Sequence, residues 1–318
     1  MINLSKVSDI TFPSRQEANF AYIMQRIHNQ NPDMGGVFTE STGMQGSSKT
    51  AAMLSFVDHN IIVHPDQKNF WRNTYETPLQ VTKLEPGTWE ILVEEGHNVT
   101  FHERTRGLPE VDLQYDTFKN FDDLYDKSSN GKCTTIFFKD ETYWMNFIHY
   151  LGYTGEWNHV FLDEYGELFP MNPRGKLHRK IGEAANDLGE IRKRNINVHA
   201  TTHAAAEIDW RVRRKIMIYI YFPGAKVVSD GLVKQEAVNK LELNLIKGNQ
   251  AWMELRGHRY GKGRFTKIYR PRPEMDWMAM RPDDAITISD YLTRDIVESH
   301  PKRKTIAPLD RLNNDIVG

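Results

Sequence analysis

The chain has 318 residues, 39% of them hydrophobic, and its 41 Lys and Arg residues nearly balance its 42 Asp and Glu residues, giving a net charge of −1. A chain of this length can bury one large core or two smaller ones, and its charge excludes a global field that would attract polyanions. One cysteine, Cys133, excludes an internal disulfide and a multi-cysteine zinc site. No run approaches the roughly 18 to 20 apolar residues of a membrane span, and no signal-peptide pattern opens the chain, so we expect a cytoplasmic protein.

The first predicted element is a helix over residues 16–30. Four apolar side chains recur there at helical spacing and form one stripe: Phe20, Ile23, Met24 and Ile27. We therefore expect a helical extension over residues 1–30, ahead of the main domain.

A phosphate-binding loop is predicted after the apolar pair Val37-Phe38 and before a helical run over 51–57. In this P-loop, Gly43–Thr50, glycines let backbone N–H groups close around phosphate oxygens, and the helix N-terminus adds its dipole. Lys49 would reach the β- and γ-phosphates of ATP, and the Thr50 hydroxyl would bind Mg²⁺. The predicted nucleotide contacts are Gly43, Gln45, Gly46, Ser47, Ser48, Lys49 and Thr50. Ser48 stands where the pattern has glycine, so an ordinary Gly/Ser-rich turn before a helix stays an alternative.

The next segment departs from a regular strand and helix order. Asn60–Val63 is predicted as a strand, and residues 65–132 as an insertion. Within that insertion, Trp89–Val93 and Asn98–Phe101 read as a β-hairpin rather than as core sheet.

A second motif follows at His159–Glu164, a short apolar run that ends in adjacent carboxylates. This is the Walker B arrangement, in which a buried strand delivers Asp163 to the rim of the sheet, where it can hold the Mg²⁺ that Thr50 also contacts. Glu164 would activate water as the general base. Such a pair alone is also typical of a solvated strand end, but together with a P-loop it indicates an ATPase.

Strands and helices otherwise alternate, which predicts a mainly parallel sheet with helices on both faces, the α/β fold of P-loop NTPases. The remaining predicted elements are strands over 134–138, 160–162, 196–201, 216–222 and 251–255, with 265–268 as a possible partner, and helices over 143–151, 176–194 and 233–246. The ATPase domain is expected over residues 31–270, and the proline-punctuated residues 271–318 as an extended arm or a partner-binding segment.

A GTPase is the competing interpretation of these motifs. Asp163–Gly166 fits the pattern D-x-x-G, and Asn239–Glu242 resembles the base-recognition motif N-K-x-D. Base-recognition motifs end a buried strand, whereas the residues around Asn239 trace a helical stripe, and the final acid is Glu242. A strand between the P-loop helix and the acidic strand, with an Asp-Glu pair, favours the ATPase class (ASCE) whose catalytic glutamate follows Walker B.

A longer order of motifs extends from the P-loop toward the C-terminus. The P-loop is followed by Val160–Tyr165, a long charged helix, Val198–His203 and Ile208–Arg213. This order resembles the FtsK/HerA superfamily of DNA-pumping ATPases, and within it the zonula-occludens-toxin-like and viral genome-packaging branches. The resemblance covers about Gly36–Ile268 and rests on motif order rather than on a long identical stretch.

That resemblance implies a homo-oligomeric, hexameric ring with ATP at the subunit interfaces. It also implies an arginine finger from a neighbouring subunit, for which Arg213 is the first choice and Arg211 and Arg214 the alternatives. A polar sensor of the γ-phosphate is implied at Thr202, with His203 beside it. The arginine cluster could equally be solvated or pair with carboxylates.

The resemblance further implies double-stranded DNA as a partner, contacted by loops that face the ring channel. Four cations just after Walker B could neutralise phosphates without reading bases: Arg174, Lys176, Arg179 and Lys180. A solvated helix start would explain the same charges.

We therefore expect a viral or plasmid genome-packaging motor in the cytoplasm, of the host if it is viral. Its arm, 271–318, could bind a capsid or membrane protein. Two alternatives stay open. One is a nucleotide-gated virion-assembly or secretion ATPase of the toxin-like branch, and the other is a nucleotide-binding scaffold without turnover.

Overall fold

The structure, a computed structural model, describes residues 18–19, 35–75, 77–103, 110–154, 157–229, 231–241, 250–256, 258–264 and 277–281. The strands are β1 (Ala18–Asn19), β2 (Phe38–Thr42), β3 (Asn69–Arg72), β4 (Trp89–Glu94), β5 (Thr100–Glu103), β6 (Asp116–Phe118), β7 (Cys133–Phe137), β8 (His159–Leu162), β9 (Asn197–Thr202), β10 (Ile218–Tyr221), β11 (Gln250–Leu255), β12 (Arg259–Arg264) and β13 (Trp277–Met280). The helices are α1 (Lys49–Val63), α2 (Phe121–Lys127), α3 (Tyr143–Thr154), α4 (Gly175–Ile191), α5 (Trp210–Arg213) and α6 (Gln235–Asn239).

Eleven of the strands form one sheet, in the order β1-β12-β11-β10-β2-β9-β8-β3-β7-β4-β6. From β10 to β6 every neighbouring pair is parallel, and β11 is antiparallel to both of its neighbours. The predicted mainly parallel α/β fold is therefore confirmed.

Each face of the sheet has its own hydrophobic core, because successive side chains of a strand point to opposite faces. In β8, Phe161 packs with α1, whereas its neighbours Val160 and Leu162 pack with α3 and α4. Both faces are thus covered by helices, and every residue of the central strands β2, β9 and β8 is buried, including the polar residues of β2 and β9. Within the described residues, none of the helices is long and apolar enough to cross a membrane.

The strand predicted at Asn60–Val63 is wrong, because these residues form the last turn of α1. Asn60 is buried on the helix face that also buries Phe56 and Val57, whereas Ile62 is 71% exposed. An apolar run as short as Ile61–Val63 cannot distinguish a strand from a helix end by its period alone. The strand lies at Asn69–Arg72, where polar residues at both ends hide the pattern.

The predicted hairpin is also wrong. Trp89–Glu94 forms β4 within the main sheet, parallel to β7 and β6, while β5 pairs with β13 in a separate two-stranded sheet. Residues 65–132 therefore contribute β3, β4 and β6 to the main sheet. Parallel partners are distant in sequence, so alternation alone does not reveal them.

Near the two ends of the chain, the structure describes only two short segments, residues 18–19 and 277–281. Ala18–Asn19, predicted as helix, forms a strand parallel to β12, and Trp277–Met280 in the predicted arm forms β13. The rest of the predicted N-terminal helix, residues 265–268 and residues 282–318 lie outside the described residues. Of the helix predicted over 233–246, α6 is present and 242–249 lie outside them.

A buried histidine joins the P-loop strand to its neighbour β9. His199 Nδ1 lies 2.9 Å from Thr39 Oγ1, and its ring stacks on Phe161 with centroids 4.9 Å apart. Burial disfavours the imidazolium and lowers the pKa of His199 to about 3. His199 is therefore neutral in the folded protein across the neutral and mildly acidic range.

This burial predicts an acid-sensitive contribution to stability. The unfolded chain binds a proton at His199 near pH 6.5 and the folded chain only near pH 3, so folding stability falls as pH drops through that window. The free energy of unfolding of the parent minus that of His199→Gln should shrink by about 1.4 kcal/mol per pH unit. Urea titrations at several pH values measure this difference, and a constant difference would contradict the assignment.

Candidate nucleotide-binding site

The predicted catalytic segments meet at one edge of the sheet. β2, β9, β8 and β3 are parallel neighbours, so their carboxyl ends share an edge. The P-loop follows β2, and the Asp163-Glu164 pair follows β8, with β9 between the two strands. Ligands of open α/β sheets bind outside such carboxyl ends.

The P-loop backbone approaches its surroundings closely at Gly43. A Cβ atom there would lie 2.7 Å from Ser47 Oγ and 2.8 Å from Phe222 Cβ. Gly46 has a φ of +75°, which glycine adopts without a steric cost. Ser47 Oγ is buried, and within the described residues it has no hydrogen-bond partner. A buried hydroxyl of this kind fits a loop that binds phosphate oxygens.

The backbone conformation of Ser48 shows why the P-loop motif has glycine at this position. Its φ of 74° and ψ of 23° are left-handed, and it stands immediately before the first residue of α1. L-residues adopt this conformation at a cost of roughly 1–2 kcal/mol, which glycine avoids. The motif's glycine therefore reflects a backbone requirement that Ser48 meets under strain.

Lys49 lies at the centre of the candidate site. Its Nζ donates to the Gly43 carbonyl at 3.0 Å and lies 3.3 Å from His203 Nδ1. Burial lowers the pKa of Lys49, and the carboxylates of Glu164 and Asp163 oppose that shift. The ammonium is thus a desolvated charge directed at the loop that would hold phosphate.

Asp163 receives hydroxyl donors from both sides. Thr201 Oγ1 donates to Asp163 Oδ1 at 2.6 Å, and Thr50 Oγ1 donates to the same oxygen at 3.2 Å. Burial raises the pKa of Asp163, and these two hydrogen bonds lower it in part. The structure thereby brings together the two residues predicted to bind Mg²⁺, and a carboxylate with a hydroxyl is a suitable oxygen donor set.

Glu164 follows in a left-handed conformation, with φ 47° and ψ 49°. Its backbone N–H donates to Thr201 Oγ1 at 3.0 Å, and its Oε1 lies 3.1 Å from His203 Nε2. Burial raises the pKa of its carboxyl group, and the Asp163 carboxylate raises it further. A raised pKa suits a general base.

His203, rather than Thr202, faces the charged groups. The Thr202 hydroxyl makes hydrogen bonds with the backbone of Ala204 in the turn after β9. His203 instead bridges Lys49 and Glu164 through its two ring nitrogens. Because Lys49 can only donate, the consistent tautomer accepts at Nδ1 and donates to Glu164 from Nε2.

The three candidate finger arginines lie on α5 or directly after it. Arg211 makes a two-pronged ion pair with Asp209, with both bonds at 2.9 Å. Arg214 is exposed, and its guanidinium carbon lies 4.4 Å from the centroid of the Trp210 ring. Of these two, Arg214 therefore has its guanidinium at the surface.

Arg213 faces the interior of its own chain. Its Nε is buried, and the charge of its guanidinium lowers the pKa of Glu40. Burial is the larger influence and raises the pKa of Glu40 to about 7. Tyr165 donates a hydrogen bond from its hydroxyl to Glu40, which joins the Walker B turn to the P-loop strand.

The four residues predicted to contact DNA lie at the start of α4 or just before it: Arg174, Lys176, Arg179 and Lys180. Lys180 Nζ donates to Thr142 Oγ1 at 3.1 Å, and Arg179 Nε lies 3.4 Å from Glu183 Oε1. Arg174, Lys176 and Arg179 are exposed. This part of α4 is thus a basic surface segment next to the turn that follows Walker B.

Sequence analysis missed two residues that hold the Walker B turn. Thr201 was predicted only as part of a strand, and Arg72 was in no predicted element. Arg72 donates to the main-chain carbonyls of Asp163 and Glu164. The signal for Thr201 was the strand order, because β9 borders β8; Arg72 had no local signal.

No family model and no curated protein matches the chain. It is similar to several solved structures. One is the genome packaging NTPase B204 from Sulfolobus turreted icosahedral virus 2 in complex with sulfate, which is 9% identical over 73% of this chain and 98% of that chain, with a TM-score of 0.45. Another is the N-terminal domain of zonular occludens toxin from Neisseria meningitidis, which is 12% identical over 73% of this chain and 95% of that chain, with a TM-score of 0.32.

A DnaB-like replicative helicase shows 11% identity over 73% of this chain and 56% of that one, at a TM-score of 0.38. Similarity of this degree does not identify an activity, so a function has to be inferred from the chemistry of the site residues.

The conformation of Ser48 predicts how that position tolerates substitution. Ser48→Gly should be at least as stable as the parent, because glycine avoids the cost of the left-handed backbone, and Ser48→Asn should have a free energy of unfolding within about 1 kcal/mol of the parent. Ser48→Val should lose more than about 1 kcal/mol, since a β-branched side chain is strongly disfavoured there. Urea unfolding measures this order, and a valine variant as stable as the glycine variant would contradict it.

Proposed function

We propose that this protein is a Mg²⁺-dependent ATPase. The observation that carries the proposal is the meeting of Thr50 and Asp163, whose Oγ1 and Oδ1 atoms lie 3.2 Å apart although the residues are 113 positions apart in sequence. Lys49 precedes Thr50 in the chain. Burial lowers the pKa of Lys49, and the Glu164 and Asp163 carboxylates raise it and so favour the charged ammonium. Hydroxyl, carboxylate and ammonium in this arrangement suit a metal-bound triphosphate.

The roles follow from the chemistry of each group. The P-loop amides and Lys49 would bind the phosphates, while Thr50 and Asp163 would hold Mg²⁺. The ion, when bound, would neutralise charge that develops on the phosphate oxygens. Glu164 would accept a proton from the attacking water, for which its raised pKa is favourable.

His203 takes the sensor role that the sequence assigned to Thr202. Its two ring nitrogens link Lys49 to Glu164. A γ-phosphate that draws Lys49 toward itself would remove one partner of His203, and Glu164 would then be reoriented through the other. In this proposal, binding of the γ-phosphate changes the orientation of the Glu164 carboxylate through His203.

The GTPase alternative loses its second motif. Asn239 is the last residue of the helix α6 rather than the end of a buried strand. The Asp-x-x-Gly match at Asp163 is equally accounted for by Walker B. ATP is therefore the proposed nucleotide.

The proposed work of hydrolysis is translocation of double-stranded DNA by a ring of identical subunits, in viral or plasmid genome packaging. The motif order and the basic start of α4 support this proposal. The arm over 271–318 is the proposed site for a capsid or membrane partner. An assembly or secretion ATPase and a scaffold without turnover are the alternatives.

The function is tested by measuring ATP binding and hydrolysis with and without duplex DNA. We expect Lys49→Ala to lose ATP binding, because alanine removes the compact positive charge that would bind the phosphates. We expect Glu164→Gln to bind ATP but to turn over about 100-fold more slowly or worse, because an amide cannot accept the proton. Duplex DNA should raise the parental rate.

Other outcomes discriminate the alternatives. Parental turnover by Lys49→Ala would place the nucleotide elsewhere. Hydrolysis that does not respond to DNA would favour an assembly or secretion ATPase, and ATP binding without turnover would favour a scaffold.

The finger arginine is tested by mixing inactive subunits. Because the Nε of Arg213 is buried whereas Arg214 is exposed, we expect Arg214→Ala to lose turnover by about 1,000-fold and to regain part of it when mixed with Glu164→Gln. A mixed interface can contain one intact Glu164 and one intact Arg214. Arg213→Ala should not recover on mixing. Recovery with Arg213→Ala instead would establish Arg213, the first choice from sequence, as the finger.

A further inference from the structure

Arg72 is a buried cation beneath the Walker B turn. It is the last residue of β3, which pairs with β8, and it lies opposite Leu162, the residue before Asp163. Its side chain is 1% exposed. The neighbouring strand thus delivers a guanidinium to the point where β8 ends.

Every nitrogen of that guanidinium has an acceptor. Nε donates to Glu141 Oε2 at 2.9 Å, and Nη2 donates to Glu167 Oε2 at 2.8 Å. Nη1 donates to the main-chain carbonyls of Asp163 and Glu164. The planar fork therefore joins two carboxylates to the backbone of the two predicted catalytic acids.

This arrangement is specific to arginine. A buried guanidinium destabilises a fold unless its donors are paired, and the two carboxylates provide that pairing. Lysine would keep the positive charge, but its single nitrogen cannot donate at the same time to the two carboxylates and the two main-chain carbonyls that the planar guanidinium contacts. The contacts with the two carbonyls are therefore the ones that lysine would lose.

The turn needs external support because Glu164 has a left-handed backbone, with φ 47°. Such a conformation persists only when its surroundings fix it. From the β9 side, Thr201 accepts the Glu164 N–H at 3.0 Å. From the β3 side, Arg72 donates to the Glu164 carbonyl at 3.3 Å. The peptide groups of Glu164 are thus held from both strands that flank β8.

We propose that Arg72 is a positioning residue, which fixes the backbone of the Asp163-Glu164 turn and thereby directs the Glu164 carboxylate toward the reacting water. The inference rests on the proposed role of Glu164 as general base. Arg72 itself does not touch the nucleotide in this proposal, so it acts on the rate of hydrolysis rather than on nucleotide affinity.

The test compares Arg72→Lys with Arg192→Lys, the same exchange at a half-buried arginine at the other end of the sheet. We expect Arg72→Lys to lower kcat about 100-fold, because small displacements of a catalytic group have effects of that size. Its Kd for a fluorescent ATP analogue should change less than about threefold, as expected for loss of transition-state stabilisation alone. Arg192→Lys should match the parent in both.

Hydrogen exchange gives a readout that does not depend on turnover. The Glu164 N–H bonds to Thr201, and the Glu167 N–H bonds to the Glu164 carbonyl at 3.1 Å. In Arg72→Lys these amides should exchange faster, while amides in the middle of β8 should keep parental protection. Unchanged exchange at the turn would overturn the proposal.

A double mutant separates positioning from a general loss of stability. If Arg72 acts through Glu164, then Arg72→Lys combined with Glu164→Gln should be no slower than Glu164→Gln alone. Independent, multiplied losses in the double mutant would overturn the inference. If Arg72→Lys does not fold, Glu167→Ala removes one acceptor whose side chain is 60% exposed, and it should lower kcat severalfold with ATP affinity retained.

Failure of the inference differs from failure of the proposed function. A parent that hydrolyses ATP, a Glu164→Gln variant that does not, and an Arg72→Lys variant with parental kcat would remove Arg72 alone. A parent without hydrolysis would remove the proposed function, and hydrogen exchange would still report whether Arg72 holds the turn.

Discussion

A buried carboxylate is the constraint on which the candidate site depends. Asp163 is 6% exposed at the end of a strand that is covered on both faces. A carboxylate in such surroundings must be hydrogen-bonded, paired or protonated. Its partners come from β9 and from the first turn of α1, in the form of the Thr201 and Thr50 hydroxyls. The hydrogen bonds to the Asp163 carboxylate therefore connect the end of β8 to β9 and to the first turn of α1, the helix that follows the P-loop.

Two residues of the candidate site other than glycine have a left-handed backbone. Ser48 precedes the helix that carries Lys49 and Thr50, and Glu164 follows Asp163. Each turns the chain sharply where a strand gives way to the next element. Conformations of this kind are retained when the surroundings over-determine them, and they concentrate where side chains must converge from separate segments. The strained backbone therefore lies on both segments that contribute side chains to the candidate site.

Sequence patterns identified the elements whose signals are local. The P-loop, the acidic pair and the strands around Val160 and Ile218 were found because a short window contains each pattern. The helix end at Asn60–Val63 resembles a strand in sequence because its three consecutive apolar residues carry no period. The place of β4 depended on partners that lie far away in the chain. For the same reason Arg72 and the orientation of His203 could not be predicted, since each is defined by its neighbours in space.

The position of Cys133 has a practical consequence. It is the chain's single cysteine, it is fully buried at the start of β7, and burial raises the pKa of its thiol well above the usual range. Thiol reagents attack through the thiolate, which is scarce under these conditions. The folded protein therefore provides a silent background for site-directed labelling. A spin label on a cysteine introduced at Trp210, which is 52% exposed, would therefore be the sole reactive probe on the folded chain.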